Sequence, residues 1–218
     1  MGNKNSEAGK PSHLQHHFMD ADQQFESSKL GMWIFLVTEV LMFGGLFVAY
    51  IIYRSWHPDL FYLAAQELDT ALGATNTVVL IASSLTIALA IRAVQLDKIQ
   101  AAINYLAATI LLAGTFMVIK YFEYMEKFEK GIYPGAAYSY EGIGHHMAAN
   151  FFSIYYMMTG LHGIHVVIGM GLIGWMIIKA KKGLVHSQYY TPVENTGLFW
   201  HLVDIIWIFL FPLLYLID

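Results

Sequence analysis

The sequence predicts an all-α integral membrane protein, a helical bundle with five transmembrane helices. Three observations carry that reading. Hydrophobic residues make up 57% of the 218 residues and charged residues only 13%, where soluble domains carry about 25% charged residues. The apolar residues are gathered into five long runs, which is the pattern of membrane spans. The stretches between the runs are short and polar.

The runs are residues 32–53, 72–91, 101–119, 147–178 and 196–217. A span needs about 20 residues at a rise of about 1.5 Å each, and four runs fit closely. The fourth has 32 residues, roughly 48 Å as a straight helix. It should tilt or project beyond the hydrocarbon, because no proline divides it. Residues 54–71 hold Pro58, and residues 92–100 form a tight polar turn. Residues 120–146 are predicted as the longest internal loop, with Pro134, and residues 179–195 are basic at their start and hold Pro192.

Residues 1–29 read as a polar cytoplasmic segment, rich in His13, His16 and His17, and partly disordered. They contain no apolar run, so no cleavable signal peptide is expected. Residues 30–218 form the transmembrane domain. Lys and Arg set the orientation. With five spans, the amino-terminal side carries eight of them: Lys4, Lys10, Lys29, Arg92, Lys98, Lys179, Lys181 and Lys182. The other side carries four: Arg54, Lys120, Lys127 and Lys130. A cytoplasmic amino terminus and an outside carboxyl terminus follow.

Composition also excludes classes. A net charge of −4 gives no basic footprint for nucleic acid. With no cysteine, disulfides, thiolate iron–sulfur sites and covalent c-type haem are excluded.

The polar groups inside the runs carry the functional question. Glu39 lies seven residues into the first run. An ionised carboxylate there costs about 2.5 kcal/mol or more, so it should be protonated or hydrogen-bonded to a neighbouring helix. It is either a proton-linked or lipid-contacting site, or a structural hydrogen bond. In the fourth run Gly160, Gly163, Val167, Gly171 and Gly174 fall within about 80° of arc. Such a small-residue stripe lets another helix approach closely. His162 and His165 fall on the opposite face, so both faces are expected to be buried in protein. These histidines, with His201, either ligate a b-type haem or donate hydrogen bonds between helices. His201 and Asp204 share a face, as a proton relay or a structural pair. Lys120, Glu123, Glu126, Lys127 and Lys130 are expected to form a solvated charge cluster of little energetic weight.

Taken together, LGMWIFLVTEVLMFGGLFVAY (residues 30–50), GLHGIHVVIGMGLI (160–173) and ENTGLFWHLVDIIWIFLFPLLY (194–215) resemble the core motifs of haem–copper oxidase subunit III. ATNTVVLIASS (74–84) and KYFEY (120–124) resemble weaker stretches of that family, in the right order. The chain is similar to its five-helix bacterial form, and the Glu of VTEVL is closer to cytochrome c oxidases than to quinol oxidases.

The resemblance implies a non-catalytic accessory subunit of a proton-pumping terminal oxidase in a bacterial inner membrane. Haem and copper are then expected in the catalytic subunit I and none in this chain. Other oxidase subunits and structural phospholipids are further expected partners, with support for oxygen access and proton uptake. By the same resemblance Glu39 is the family's buried acid beside a lipid cleft. Glu123, His162, His165, Glu194, His201 and Asp204 occupy polar motif positions with structural or lipid-related roles. Lys179, Lys181 and Lys182 are headgroup candidates. Competing readings are a quinol oxidase subunit III or a nitric oxide reductase-associated homologue, a b-haem electron carrier, and a transporter coupled through Glu39.

Overall fold

The computed structural model describes residues 18–143 and 148–217. Lys4, Lys10, His13, His16, His17 and the predicted start of the fourth run at Met147 lie outside the described residues. The helices are α1 (Ala21–Trp56), α2 (Pro58–Ala65), α3 (Thr70–Gln95), α4 (Ile99–Glu129), α5 (Ala148–Lys181) and α6 (Thr191–Tyr215). A short 3₁₀ turn spans Gly135–Ala137. All but α2 are long and apolar enough to cross a membrane.

Local chemistry sets the helix ends. The Asp20 carboxylate accepts the Gln23 N–H at 2.7 Å and caps α1, and Asp69 accepts the Leu72 N–H at 3.0 Å and caps α3. Pro58 opens α2, where its missing N–H would have had no partner. Gly131, at φ +80°, closes α4: the Ile132 N–H reaches back to the Lys127 carbonyl at 2.9 Å. That is the left-handed C-terminal bond pattern that favours glycine. Asp97 takes the same left-handed conformation after α3 and accepts the Ser187 N–H at 2.8 Å. This tie to Ser187 joins two turns at one end of the bundle and holds the Asp97 carboxyl below its ordinary range.

Three boundaries differ from the sequence reading. First, α1 begins at Ala21, inside the segment expected to be polar and partly disordered. Its 36 residues span roughly 54 Å. Second, α4 runs to Glu129, ten residues beyond the apolar run that ends at Ile119, and takes up much of the predicted loop. Third, residues 54–71 contain α2. The 34-residue length of α5 agrees with the overlong fourth run.

The packing is a closed ring in the order α3, α4, α5, α6 and back to α3, with α1 against α5 and α6 and α2 against α5. Half of the most apolar window of α6 is buried, against 17% for α1, so α6 is the central helix and α1 the peripheral one. The ring interior holds Phe116, Tyr155, Trp200, Trp207 and Tyr215. Phe116 meets Trp207 edge to face at 4.9 Å, an arrangement that adds about 0.5–1.5 kcal/mol beyond burial.

Close helix approach is made by glycines other than the predicted stripe. A Cβ on Gly169 of α5 would lie 2.7 Å from the Trp200 ring, and one on Gly73 of α3 would lie 2.7 Å from Phe211. The stripe of Gly160, Gly163, Gly171 and Gly174 instead faces outward. Only Gly163 would meet anything, the Met117 methyl at 4.0 Å. This chain by itself therefore covers one of the two faces expected to be buried in protein. Helical phase separates the two faces as predicted, but within this chain only the face with His162, His165 and Gly169 is covered. We expect Gly169→Leu to destabilise the fold by about 1–3 kcal/mol through overpacking, and Gly171→Leu to change it little. Thermal unfolding of both variants in the same detergent checks this; equal losses would contradict it.

Candidate functional site

The buried polar residues fall into four groups. The first joins α1 to α5. Glu39 Oε2 lies 2.8 Å from His165 Nε2, and His165 Nδ1 lies 2.8 Å from the Leu161 carbonyl one turn earlier. A carbonyl only accepts, so Nδ1 carries hydrogen. Nε2 then either accepts from a protonated Glu39 or, as imidazolium, donates to its carboxylate. Both forms are neutral overall and differ by the position of one proton. The side chains are 14% and 11% exposed, and the Phe43 ring packs its edge on the imidazole at 5.3 Å. The sequence required a partner for Glu39 from another helix, and the tertiary structure supplies His165. Both ring nitrogens of His165 are thereby engaged.

The second group corrects the expected solvated cluster. Lys120, Glu123 and Lys127 are 6%, 1% and 3% exposed. Glu123 Oε2 accepts from Lys120 Nζ at 2.9 Å. Its Oε1 accepts from Lys127 Nζ at 3.1 Å, the Tyr155 hydroxyl at 2.8 Å and the Tyr215 hydroxyl at 2.6 Å. Lys120 also donates to the Tyr215 oxygen at 2.7 Å and sits over the Trp207 ring at 5.1 Å. One carboxylate thus knots α4, α5 and α6 together. Glu126 and Lys130 form a separate, more exposed pair at 2.9 Å.

The third group lies between α3 and α6. His201 Nδ1 meets the Ser84 hydroxyl at 2.7 Å. Asp204 is 2% exposed, and neither of its carboxyl oxygens has a hydrogen-bond partner. The expected His201–Asp204 pair is therefore not made. Adjacent residues on one helix face can share a direction without meeting, and Ser84 on α3 captures the imidazole first.

The fourth group gathers the remaining candidates. His162 is fully buried between the Phe116 and Trp207 rings, at 5.5 and 5.3 Å, with neither nitrogen hydrogen-bonded. Glu194 Oε1 meets Lys29 Nζ at 3.3 Å and links α6 to α1. Lys179 lies 4.0 Å over the Trp175 ring, while Lys181 and Lys182 are exposed at the end of α5. Lys179 borders a groove of about 300 Å³ lined by Met32, Phe35, Leu172 and Phe199. A second groove, of about 400 Å³, runs between α4 and α5 along Met117, Thr159, Gly160, Gly163 and Val167. Among the described residues, no three His, Cys, Asp or Glu side chains converge to hold a metal ion.

Sequence reasoning missed Tyr155, Tyr215 and Ser84 as partners. The two tyrosines sit within apolar runs and gave no separate signal. The lysines did give one: the buried positions of α4 are 102, 106, 109, 113, 116, 120, 123 and 127. Spacings of four and three continue unbroken through the charged residues.

These features define a multi-pass helical membrane protein whose embedded Glu39 and Glu123 are held by neighbouring helices and whose outer faces carry open apolar grooves. The family described as cytochrome c oxidase subunit III matches residues 12–218. The cytochrome c oxidase subunit 3 of Thermostichus vulcanus is 33% identical over 194 residues, covering 86% of each chain. The quinol oxidase subunit 3 of Bacillus subtilis is 26% identical over 209 residues, 94% of this chain and 96% of that protein. A haem–copper oxidase subunit I+III of Aeropyrum pernix is 29% identical over 218 residues, 95% of this chain and 24% of that protein. The chain belongs to the cytochrome c oxidase subunit III family, the third subunit of haem–copper oxidases.

Proposed function

We propose that the chain is the accessory, non-catalytic subunit of a proton-pumping terminal oxidase that reduces oxygen with electrons from cytochrome c. The match along residues 12–218, joined to a relative named for subunits I and III together, carries this reading. Haem and copper belong to the catalytic subunit I, and this chain binds none. It sits in a bacterial inner membrane with its amino terminus in the cytoplasm, following the eight-to-four distribution of Lys and Arg.

Two observations support a role in sustaining the catalytic subunit. The Glu39–His165 pair sets a carboxyl 2.8 Å from an imidazole nitrogen inside a span, a distance across which one proton can pass. The two grooves are lined mainly by apolar side chains that suit acyl chains, and Lys179 is among the lining residues of one, where an ammonium can meet a headgroup phosphate. Phospholipids in these grooves would keep an apolar, oxygen-permeable layer against the bundle.

Purification through a tag on this chain, from membranes of the native host in mild detergent, tests the proposal. Catalytic subunit, haem absorption and phospholipid should co-elute with the chain. Stripping the chain away should leave initial oxygen uptake and shorten its duration. Absence of a haem–copper subunit from the eluate would refute the reading. A Soret band from the isolated chain would favour the b-haem carrier instead.

A further inference from the structure

The hydrocarbon-facing surface of the bundle is not uniform. Ser84 is the fifteenth residue of α3 and Asp204 the fourteenth of α6, so both lie near the middle of their helices, together with His201. The three line a notch of about 380 Å³ that opens outward between α3 and α6. Branched apolar side chains surround it: Ile81, Leu85, Ile205 and Ile208 are 52%, 61%, 49% and 43% exposed. The Ser84 hydroxyl makes its 2.7 Å hydrogen bond with His201 Nδ1, donor or acceptor according to the imidazole tautomer, and also lies close enough to act on the Asp204 carboxyl. Both Asp204 oxygens remain without a hydrogen bond although the residue is only 2% exposed.

Near the middle of a span the surroundings are hydrocarbon, and an acyl chain can neither donate nor accept. Protonated or ionised, the Asp204 carboxyl lacks a partner that lipid could provide. The open groove between α4 and α5 differs. Three of its four polar members, Lys120, Tyr124 and Thr159, are already bonded inside the chain, and the fourth, Tyr121, is exposed just past the end of the third apolar run, so acyl chains can cover the rest of the groove. Of the two faces, the one between α3 and α6 calls for protein.

We propose that the α3/α6 face docks on a transmembrane helix of the catalytic subunit, which supplies a hydrogen-bonding side chain to Asp204 beside the Ser84–His201 pair. The branched rim packs around that polar centre and seals it from lipid. This inference rests on the accessory-subunit reading and adds which face makes the contact.

The experiment places a photo-crosslinking p-benzoylphenylalanine at Leu85, Ile208 or, as a contrast, Val167 in the groove between α4 and α5. Each variant is expressed with the whole oxidase, illuminated in membranes and purified. Adducts from Leu85 and Ile208 should contain the catalytic subunit, and those from Val167 should contain lipid. In the same complex, Asp204→Leu should raise the rate at which detergent strips the chain away by about tenfold, the ratio that 1.4 kcal/mol gives, while Asp204→Asn should hold. If the chain co-purifies with the catalytic subunit but Leu85 and Ile208 yield lipid adducts alone, the docking face is refuted and the accessory reading stands. A catalytic-subunit adduct at Val167 and none at Leu85 or Ile208 refutes it likewise. If no catalytic subunit co-purifies, both fall.

Discussion

Glu123→Gln is expected to destabilise the bundle by about 3–5 kcal/mol, the range for leaving buried charge without its partner. The substitution preserves shape but removes the carboxylate that Lys120 and Lys127 share, both nearly sealed from solvent. Two ammonium groups would then face each other in a low-dielectric interior beside Tyr155 and Tyr215, whose hydroxyls lose a charged acceptor. Typical total stabilities are about 5–15 kcal/mol, so the variant should fail to accumulate or should unfold at a much lower temperature. Replacing all three charged residues together with leucine should cost less than Glu123→Gln alone, because no unpaired charge remains. Thermal unfolding in one detergent, followed by tryptophan fluorescence from Trp207, distinguishes the cases. A Glu123→Gln midpoint equal to that of the unaltered protein would show that water reaches the cluster.

Glu39→Gln should leave assembly intact and change the endurance of the oxidase rather than its first turnovers. The carboxamide can still donate to His165 Nε2 while Nδ1 stays bonded to Leu161, so the helix contact persists. What disappears is the alternative in which the proton sits on the imidazole. Initial oxygen uptake should change by less than about tenfold, a barrier difference under about 1.4 kcal/mol, whereas activity should decay sooner during long turnover. Glu39→Leu is the harsher control. It leaves Nε2 buried and unpaired at a cost of about 1–3 kcal/mol, and should also weaken the contact of α1 with α5. Oxygen-electrode traces over many turnovers, together with the quantity of chain retained in the complex, separate the two effects. Identical decay of the Gln variant and the unaltered complex would assign the pair a structural role alone.

Neither result could be anticipated from composition. The spans were legible because burying a backbone in hydrocarbon demands about 20 consecutive apolar residues, and that demand is written locally in the sequence. The inward placement of His162 and His165 was also legible, because a helix repeats every 3.6 residues whatever it packs against. The ten extra residues of α4 were hidden by their charge. Lysine and glutamate read as solvent-facing until a neighbouring helix offers Tyr155 and another Tyr215. Only the heptad spacing from Ala102 to Lys127 kept the true direction of that face.

By itself, then, the sequence determined that this protein lives in a membrane, how many times it crosses, and that Glu39 inside it needs a partner. The tertiary structure decided who the partners are: His165 for Glu39, two lysines and two tyrosines for Glu123, Ser84 for His201, and, among the described residues, no hydrogen-bonded one for Asp204. The division has one physical cause. Desolvation is a property of each residue and its neighbours along the chain, whereas a hydrogen bond between helices depends on the relative rotation and depth of two segments. Those are fixed by packing contacts such as Gly169 on Trp200, which the linear order of residues does not display.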